Sequence, residues 1–228
     1  MKGILHVIAT PIGNLKDISL RAIEVLQESD LVIAENRERA LKLLSHLQIR
    51  KPILTINAYN EERKAHAIVQ KIGLGKQCAL ISGAGTPCIS DPGNVIVRKC
   101  HETGIEVRAV PGPSAVIAAL SISGLSPDRF LFYGFLPQKR GKKKKILEEL
   151  LSQPFSVVFF ESPRRLTETV EIMTEIAEDR EIVLAKEMTK MYEEIVRCRA
   201  RELADHIPED VKGEYTVIVS GKRHRTEG

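Results

Sequence analysis

Apolar residues in the first half of the chain come in short runs, at 4–9, 31–34, 53–56, 78–82 and 105–110. Their length and their Val, Ile and Leu content suit strands buried on both faces. Between the runs, apolar residues recur at helical spacing over 18–26, 37–47, 61–72, 92–103 and 114–122; the leucines at 41, 43, 44 and 47 are one example. Ser19 stands near the start of the first of these segments, and Gly104 and Gly124 follow the last two, as helix ends favour. Five strands alternating with helices predict a parallel sheet covered on both faces.

The pattern changes between Pro111 and Pro127. Strands are predicted at 130–135 and 157–161, and helices at 142–151 and 164–177. The segments 182–186, 193–200 and 214–220 alternate or are β-rich, with only a short helix between the last two, so an antiparallel component is expected. The expected class is α/β with two domains. Residues 1–115 form a parallel-sheet domain with glycine- and proline-rich ligand loops, and residues 116–228 a mixed-sheet domain.

Three tight loops follow predicted parallel strands. They are Thr10-Pro11-Ile12-Gly13-Asn14, then Gly83-Ala84-Gly85-Thr86-Pro87, then Pro111-Gly112-Pro113-Ser114-Ala115. In a parallel sheet all three emerge at the carboxyl edge, where small residues let a ligand approach the backbone. After the second loop, Ser90 or Asp91 is expected to cap a helix whose first position is Pro92. The loops are not phosphate cradles. Cys88 stands where a dinucleotide fingerprint begun at Gly83 needs glycine, and no Walker lysine is present.

The 228 residues are 43% hydrophobic and 28% charged, ordinary values for a soluble protein. No apolar run nears a membrane span, and Met1-Lys2-Gly3 leads straight into the first strand run, so a cytoplasmic location is expected. Cys78, Cys88, Cys100 and Cys198 lack metal-finger or redox spacing, and the six histidines form no cluster; free thiols and no metal site are expected. The net charge is only +4, but Lys139, Arg140, Lys142, Lys143, Lys144 and Lys145 crowd one segment, and Lys222-Arg223-His224-Arg225 is a second basic run. Such blocks can neutralise nucleic-acid phosphates.

Further segments make a resemblance specific. They are Gly85-Thr86-Pro87 with Ile89-Ser90-Asp91-Pro92-Gly93, the stretch Asp128-Arg129-Phe130-Leu131-Phe132 with Gly134-Phe135-Leu136-Pro137, and Phe160-Glu161-Ser162-Pro163 with Arg165-Leu166. Glu187 with Thr189-Lys190, and Lys212-Gly213-Glu214, complete the series. In this order, from about residue 4 to about 221, they resemble the cytidine 2′-O-methyltransferases of small-subunit ribosomal RNA, within the tetrapyrrole-methylase superfamily.

That resemblance implies S-adenosylmethionine bound between two α/β domains, a homodimer, and ribosomal RNA as partner. Its cofactor positions fall on Pro11 and Gly13, on Ala84, Gly85 and Thr86, on Ser114 and Ala115, on Leu136, and on Gly213. A ribose hydroxyl is a poor nucleophile, so a base or a cation that favours the alkoxide should assist. Glu161, Arg165, Glu187 and Lys190 are the expected catalytic residues, with Glu35, Lys186 and Arg164 as further candidates near strand ends. The chain also departs from the family pattern. Gly83 stands where an aspartate is usual, Glu35-Asn36-Arg37-Glu38 replaces Glu-Asp-Thr-Arg, and the small helical C-terminal extension of many relatives is not expected here. Two other readings stay open: a small-molecule or protein methylase of the same superfamily, and an inactive RNA-binding relative.

Overall fold

The computed structural model describes residues 3–208 and 210–222. Arg223, His224 and Arg225 of the basic tail lie outside the described residues. The chain divides into two compact units, Met1–Ser114 and Ala115–Gly228.

The first unit holds β1 (Ile4–Ile8), β2 (Leu31–Ala34), β3 (Ile53–Thr55), β4 (Gln77–Ile81) and β5 (Glu106–Val110). Their order is β3-β2-β4-β1-β5, and every pair is parallel. Helices α1 (Leu20–Glu28), α2 (Arg37–His46), α3 (Glu61–Gly73) and α4 (Asn94–Glu102) connect them. Successive strand residues face opposite ways. Leu5, Ile33 and Leu80 therefore pack with Ile68 and Ile72 of α3, while Ile8, Val32 and Ile81 pack with Leu26 of α1 and Leu44 of α2. Both faces of the sheet are covered, as the short apolar runs predict. Each such side chain, fully buried, contributes ~1.5–3 kcal/mol of transfer free energy.

The start of α4 corrects the expectation from sequence. The helix begins at Asn94 rather than Pro92, Gly93 holds the cap position with φ 134°, and neither Ser90 nor Asp91 caps it. The cap comes from α3. The buried Glu61 carboxylate accepts the backbone N–H groups of Gly93 at 3.0 Å, Val95 at 2.8 Å and Ile96 at 3.2 Å. A carboxylate there also suits the positive end of the helix dipole.

The second unit holds β6 (Phe130–Phe135), β7 (Ser156–Glu161), β8 (Glu181–Lys186), β9 (Glu194–Arg199) and β10 (Tyr215–Val219), in the order β6-β7-β10-β8-β9. Only β6 and β7 pair in parallel; β10 and β9 run against their neighbours. Consequently β6, β7 and β8 all end at one edge of the sheet and begin at the other. Helices α5 (Ala115–Ser123), α6 (Arg140–Leu151) and α7 (Pro163–Ala177) and a 3-10 segment, Ala200–His206, belong to this unit. Leu147 and Leu150 of α6, Leu166, Val170 and Met173 of α7, and Leu203 close over Val157, Phe159, Leu184 and Val217 of the sheet. Among the described residues, no helix is long and apolar enough to cross a membrane.

Candidate functional site

At the carboxyl edge of the first sheet the three loops are knit together. Thr10 and Gly85 exchange backbone hydrogen bonds at 2.9 and 3.0 Å, an isolated antiparallel bridge between the loops after β1 and β4. The Ser82 hydroxyl lies 3.0 Å from the Gly85 carbonyl and 3.1 Å from that of Ala84, and closes the turn. Gly85 has φ 75°, a conformation that favours glycine. The loop after β5 joins the others, since a Cβ on Gly112 would sit 3.2 Å from that of Ala9. Pro11 is buried and Gly13 exposed, while Ala84, Thr86, Ser114 and Ala115 are half-buried. Within residues 10–14, 83–87 and 111–114 there is no cation. The edge offers backbone polar groups and small side chains.

Beside these loops lies a carboxyl pair. Burial, reinforced by the charge and hydrogen bond of Glu35, pushes the Asp91 carboxyl up to about 6, against the pull of the Arg39 guanidinium. Arg39 also lies over Gly83. A Cβ on Gly83 would lie 3.2 Å from Cδ and from Nη1 of Arg39, so the arginine side chain covers that position.

In the second unit, the ends of β6, β7 and β8 bring the other expected residues to one edge. Glu161, 1% exposed, closes β7. One of its oxygens accepts the Ser162 backbone N–H at 2.8 Å and pairs with Arg165 at 2.6 Å; the other accepts the Thr169 hydroxyl at 2.7 Å. Arg165 also donates to the Ser162 hydroxyl at 3.0 Å and to the Leu136 carbonyl at 2.8 Å. Glu161 is thus a positioning residue for Arg165, and Arg165 fixes the backbone just beyond β6.

After β8, Lys190 sits between two carboxylates, 2.8 Å from Glu187 and 2.9 Å from Glu214. Glu187 also accepts the Glu214 backbone N–H at 2.8 Å. Burial works against the Glu187 charge, but Lys190 and that N–H outweigh it and hold the carboxyl below its usual range. For Lys190 burial is likewise overcome, and its carboxylate partners raise its pKa. Each member of the pair favours the charged form of the other. Gly213, φ 97°, is packed so closely on Glu187 that a Cβ would come within 2.6 Å of its Cγ.

The basic segment is divided by its own helix. Arg140 pairs with Glu171 at 2.9 Å and Glu175 at 3.0 Å, Lys144 with Glu175 at 2.8 Å, and the fully buried Lys143 with Glu168 at 2.5 Å. These three cations bind α6 to α7. Lys139, the residue before α6, and Lys142 and Lys145 on the helix are exposed and make no ion pair among the described residues. All four cysteines are free, and burial pushes the thiols of Cys78, Cys88 and Cys100 up to about 11. Among the described residues, no group of three His, Cys, Asp or Glu side chains could hold a metal ion.

Sequence reasoning missed two groups at these edges. Glu61 reads as an ordinary first-turn acid of α3, and its role depends on a helix far along the chain. Tyr215, first residue of β10 and paired with Glu161 and Lys186, is 2% exposed, and its hydroxyl has no hydrogen-bond partner among the described residues. In sequence it is one aromatic in an apolar strand.

Comparison with known proteins fits this architecture. A family described as Tetrapyrrole (Corrin/Porphyrin) Methylases matches residues 5–204. Two solved structures share the fold. A diphthine synthase superimposes with a TM-score of 0.73 over 96% of this chain and 90% of its own, at 17% identity. The methyltransferase CobJ gives 0.72 over 99% and 97%, at 19% identity. The family match, on this fold, defines the class as a tetrapyrrole-methylase-type protein. The sequence is 46% identical to the ribosomal RNA small subunit methyltransferase I of Haemophilus influenzae, over 97% of this chain and 80% of that protein. It is 43% identical to the Thermotoga maritima protein of the same name, over 96% and 99%. The chain belongs to the family of ribosomal RNA small subunit methyltransferase I, and is a methyltransferase.

Proposed function

We propose that this chain transfers the methyl group of S-adenosylmethionine to the 2′-hydroxyl of a cytidine in small-subunit ribosomal RNA, acting as a cytoplasmic homodimer. The observation that carries this reading is the knitted carboxyl edge of the first sheet. Its loops present backbone amides and carbonyls with no cation, which fits a ligand built from an adenine, a ribose, an amino acid and a sulfonium but no phosphate. Pro11, Gly13, Ala84, Gly85, Thr86, Ser114 and Ala115 would hold the cofactor there.

When bound, the cofactor supplies an electrophilic methyl for in-line displacement. The chain's task is to orient the acceptor hydroxyl and lower the cost of its ionisation. Lys190, kept protonated by its two carboxylates, supplies a positive charge that favours an alkoxide. Arg165 uses three of its nitrogens internally; its remaining N–H directions suit an RNA phosphate. Glu161 and Glu187 act through these two cations. Lys139, Lys142 and Lys145 are the RNA-facing part of the basic segment.

The test is calorimetric titration with S-adenosylmethionine, followed by transfer of labelled methyl to small ribosomal subunits. Affinity of micromolar or tighter, on the order of −8 kcal/mol, together with label in ribose 2′-O-methylcytidine, is expected. A folded protein that binds no cofactor would overturn the reading, and would favour the inactive RNA-binding alternative.

A further inference from the structure

The second sheet has another edge, where β6, β7 and β8 begin and β10 ends. None of the residues discussed as cofactor or catalytic candidates lies there. It carries an open groove of about 570 Å³, within the range of ligand-binding clefts.

The groove is held by contacts outside the regular sheet. The Ser156 hydroxyl donates to the Ser126 carbonyl at 2.9 Å. The half-buried Arg180 guanidinium donates to the carbonyls of Leu151, at 2.9 Å, and Ser220. Lys222 donates its backbone N–H to Gln153 at 2.9 Å, and Gly221 lies so close to Pro154 that a Cβ would come within 2.2 Å of the Pro154 carbonyl oxygen. Arg197 lies against Gly124, where a Cβ would come within 2.5 Å of its Nη1. Five chain segments are thereby fixed around one concavity.

Its charges do not cancel. Arg197 pairs with Glu181 at 3.0 Å. Asp128 takes the Ser126 hydroxyl at 3.4 Å. Arg129 and Lys222 line the groove, are exposed, and have no ion pair among the described residues. Three cations face two carboxylates, and the half-buried Phe155 lines the same groove. An aromatic face beside unpaired cations is the chemistry that takes a single-stranded nucleic acid: a base stacks and the flanking phosphates are neutralised.

We propose that this groove binds a single-stranded segment of the substrate RNA, with phosphates on Arg129 and Lys222 and a base on Phe155. The proposal rests on the RNA-methylating function above and adds to it a contact remote from the methyl-transfer residues. It predicts an anchoring role, distinct from that of the exposed lysines of α6.

The test measures binding of small-subunit ribosomal RNA against salt concentration for the wild type and the Arg129→Ala/Lys222→Ala variant. The double variant should weaken binding at least tenfold at low salt and flatten the log–log salt slope by about 1–2. Cofactor affinity should stay unchanged. Arg129→Lys with Lys222→Arg should keep the wild-type slope, which separates charge from folding. A wild-type slope in the double-alanine variant would overturn the groove assignment and leave the function standing. Failure of the wild type to bind this RNA at any salt would overturn both.

Discussion

The Glu61 carboxylate lies 3.0 Å from the backbone nitrogen of Gly93, so the first turn of α4 is capped by the first turn of α3. One oxygen serves three N–H groups. That ties α4, and with it the loop carrying Asp91, to a helix on the same face of the sheet. Glu61→Ala would leave these donors unsatisfied in a buried place, at a cost of about 2 kcal/mol. Urea denaturation should show the loss as a lower midpoint with unchanged m. Glu61→Gln, which keeps one acceptor, should lose less.

How much of this was legible in sequence depended on range. Strand and helix periodicities are local, and β6 was read at 130–135, where it is found as Phe130–Phe135. The alternating β-rich segments near the C-terminus correctly announced antiparallel pairing, because alternation reports a neighbouring face and needs no partner's identity. The cap of α4 was misread because Asp91 has the right residue type and position, while the actual cap is supplied from α3. The basic segment was read as one patch because sequence cannot say which cations meet the glutamates of α7. Sequence marks Glu161 as a catalytic candidate but does not show its partners, since Arg165 and Thr169 reach it only once α7 folds back over β7.

The Glu161–Arg165 pair should separate cofactor binding from bulk stability. Removing one member of a buried, hydrogen-bonded pair leaves the other uncompensated, and Glu161→Ala should cost about 3 kcal/mol. Arg165→Lys keeps the charge but cannot hold Glu161, Ser162 and the Leu136 carbonyl together. It should weaken S-adenosylmethionine binding, measured by calorimetry, more than it lowers the melting temperature. Equal effects on both would reduce the pair to scaffolding.

Asp91 predicts a pH dependence. Its folded pKa is raised from 3.8 to about 6, so the folded state holds a proton that the unfolded chain has released. The sign follows from linkage: stability from this group is greatest below pH 4, declines as pH rises through about 6, and stays reduced above. Asp91→Asn should therefore be more stable than wild type at pH 7–8 and flatten the slope between pH 4 and 6. Chemical denaturation across that window measures it, and an unchanged slope would show that Asp91 titrates normally.

Tyr215 carries a buried hydroxyl without a partner among the described residues. Deleting an unsatisfied polar atom from an apolar core is neutral or favourable. Tyr215→Phe should leave the unliganded melting temperature unchanged or raise it by a few degrees. A clear loss of stability would mean that the hydroxyl is bonded in solution, to an ordered water or a chain group.

The two faces of α6 make opposite predictions for lysines one position apart. Lys143 is fully buried and 2.5 Å from Glu168. Lys143→Ala removes both the ion pair and the packing of a long aliphatic stem, and should destabilise by about 2–3 kcal/mol. Lys142 is exposed and unpaired among the described residues. Lys142→Ala, alone or with Lys145→Ala, should change stability by less than about 0.5 kcal/mol. The same double variant should flatten the salt dependence of RNA binding. Paired denaturation and RNA-binding titrations on the two sets separate helix packing from RNA contact. Stability loss without an RNA effect in the exposed pair would remove α6 from the RNA-binding surface.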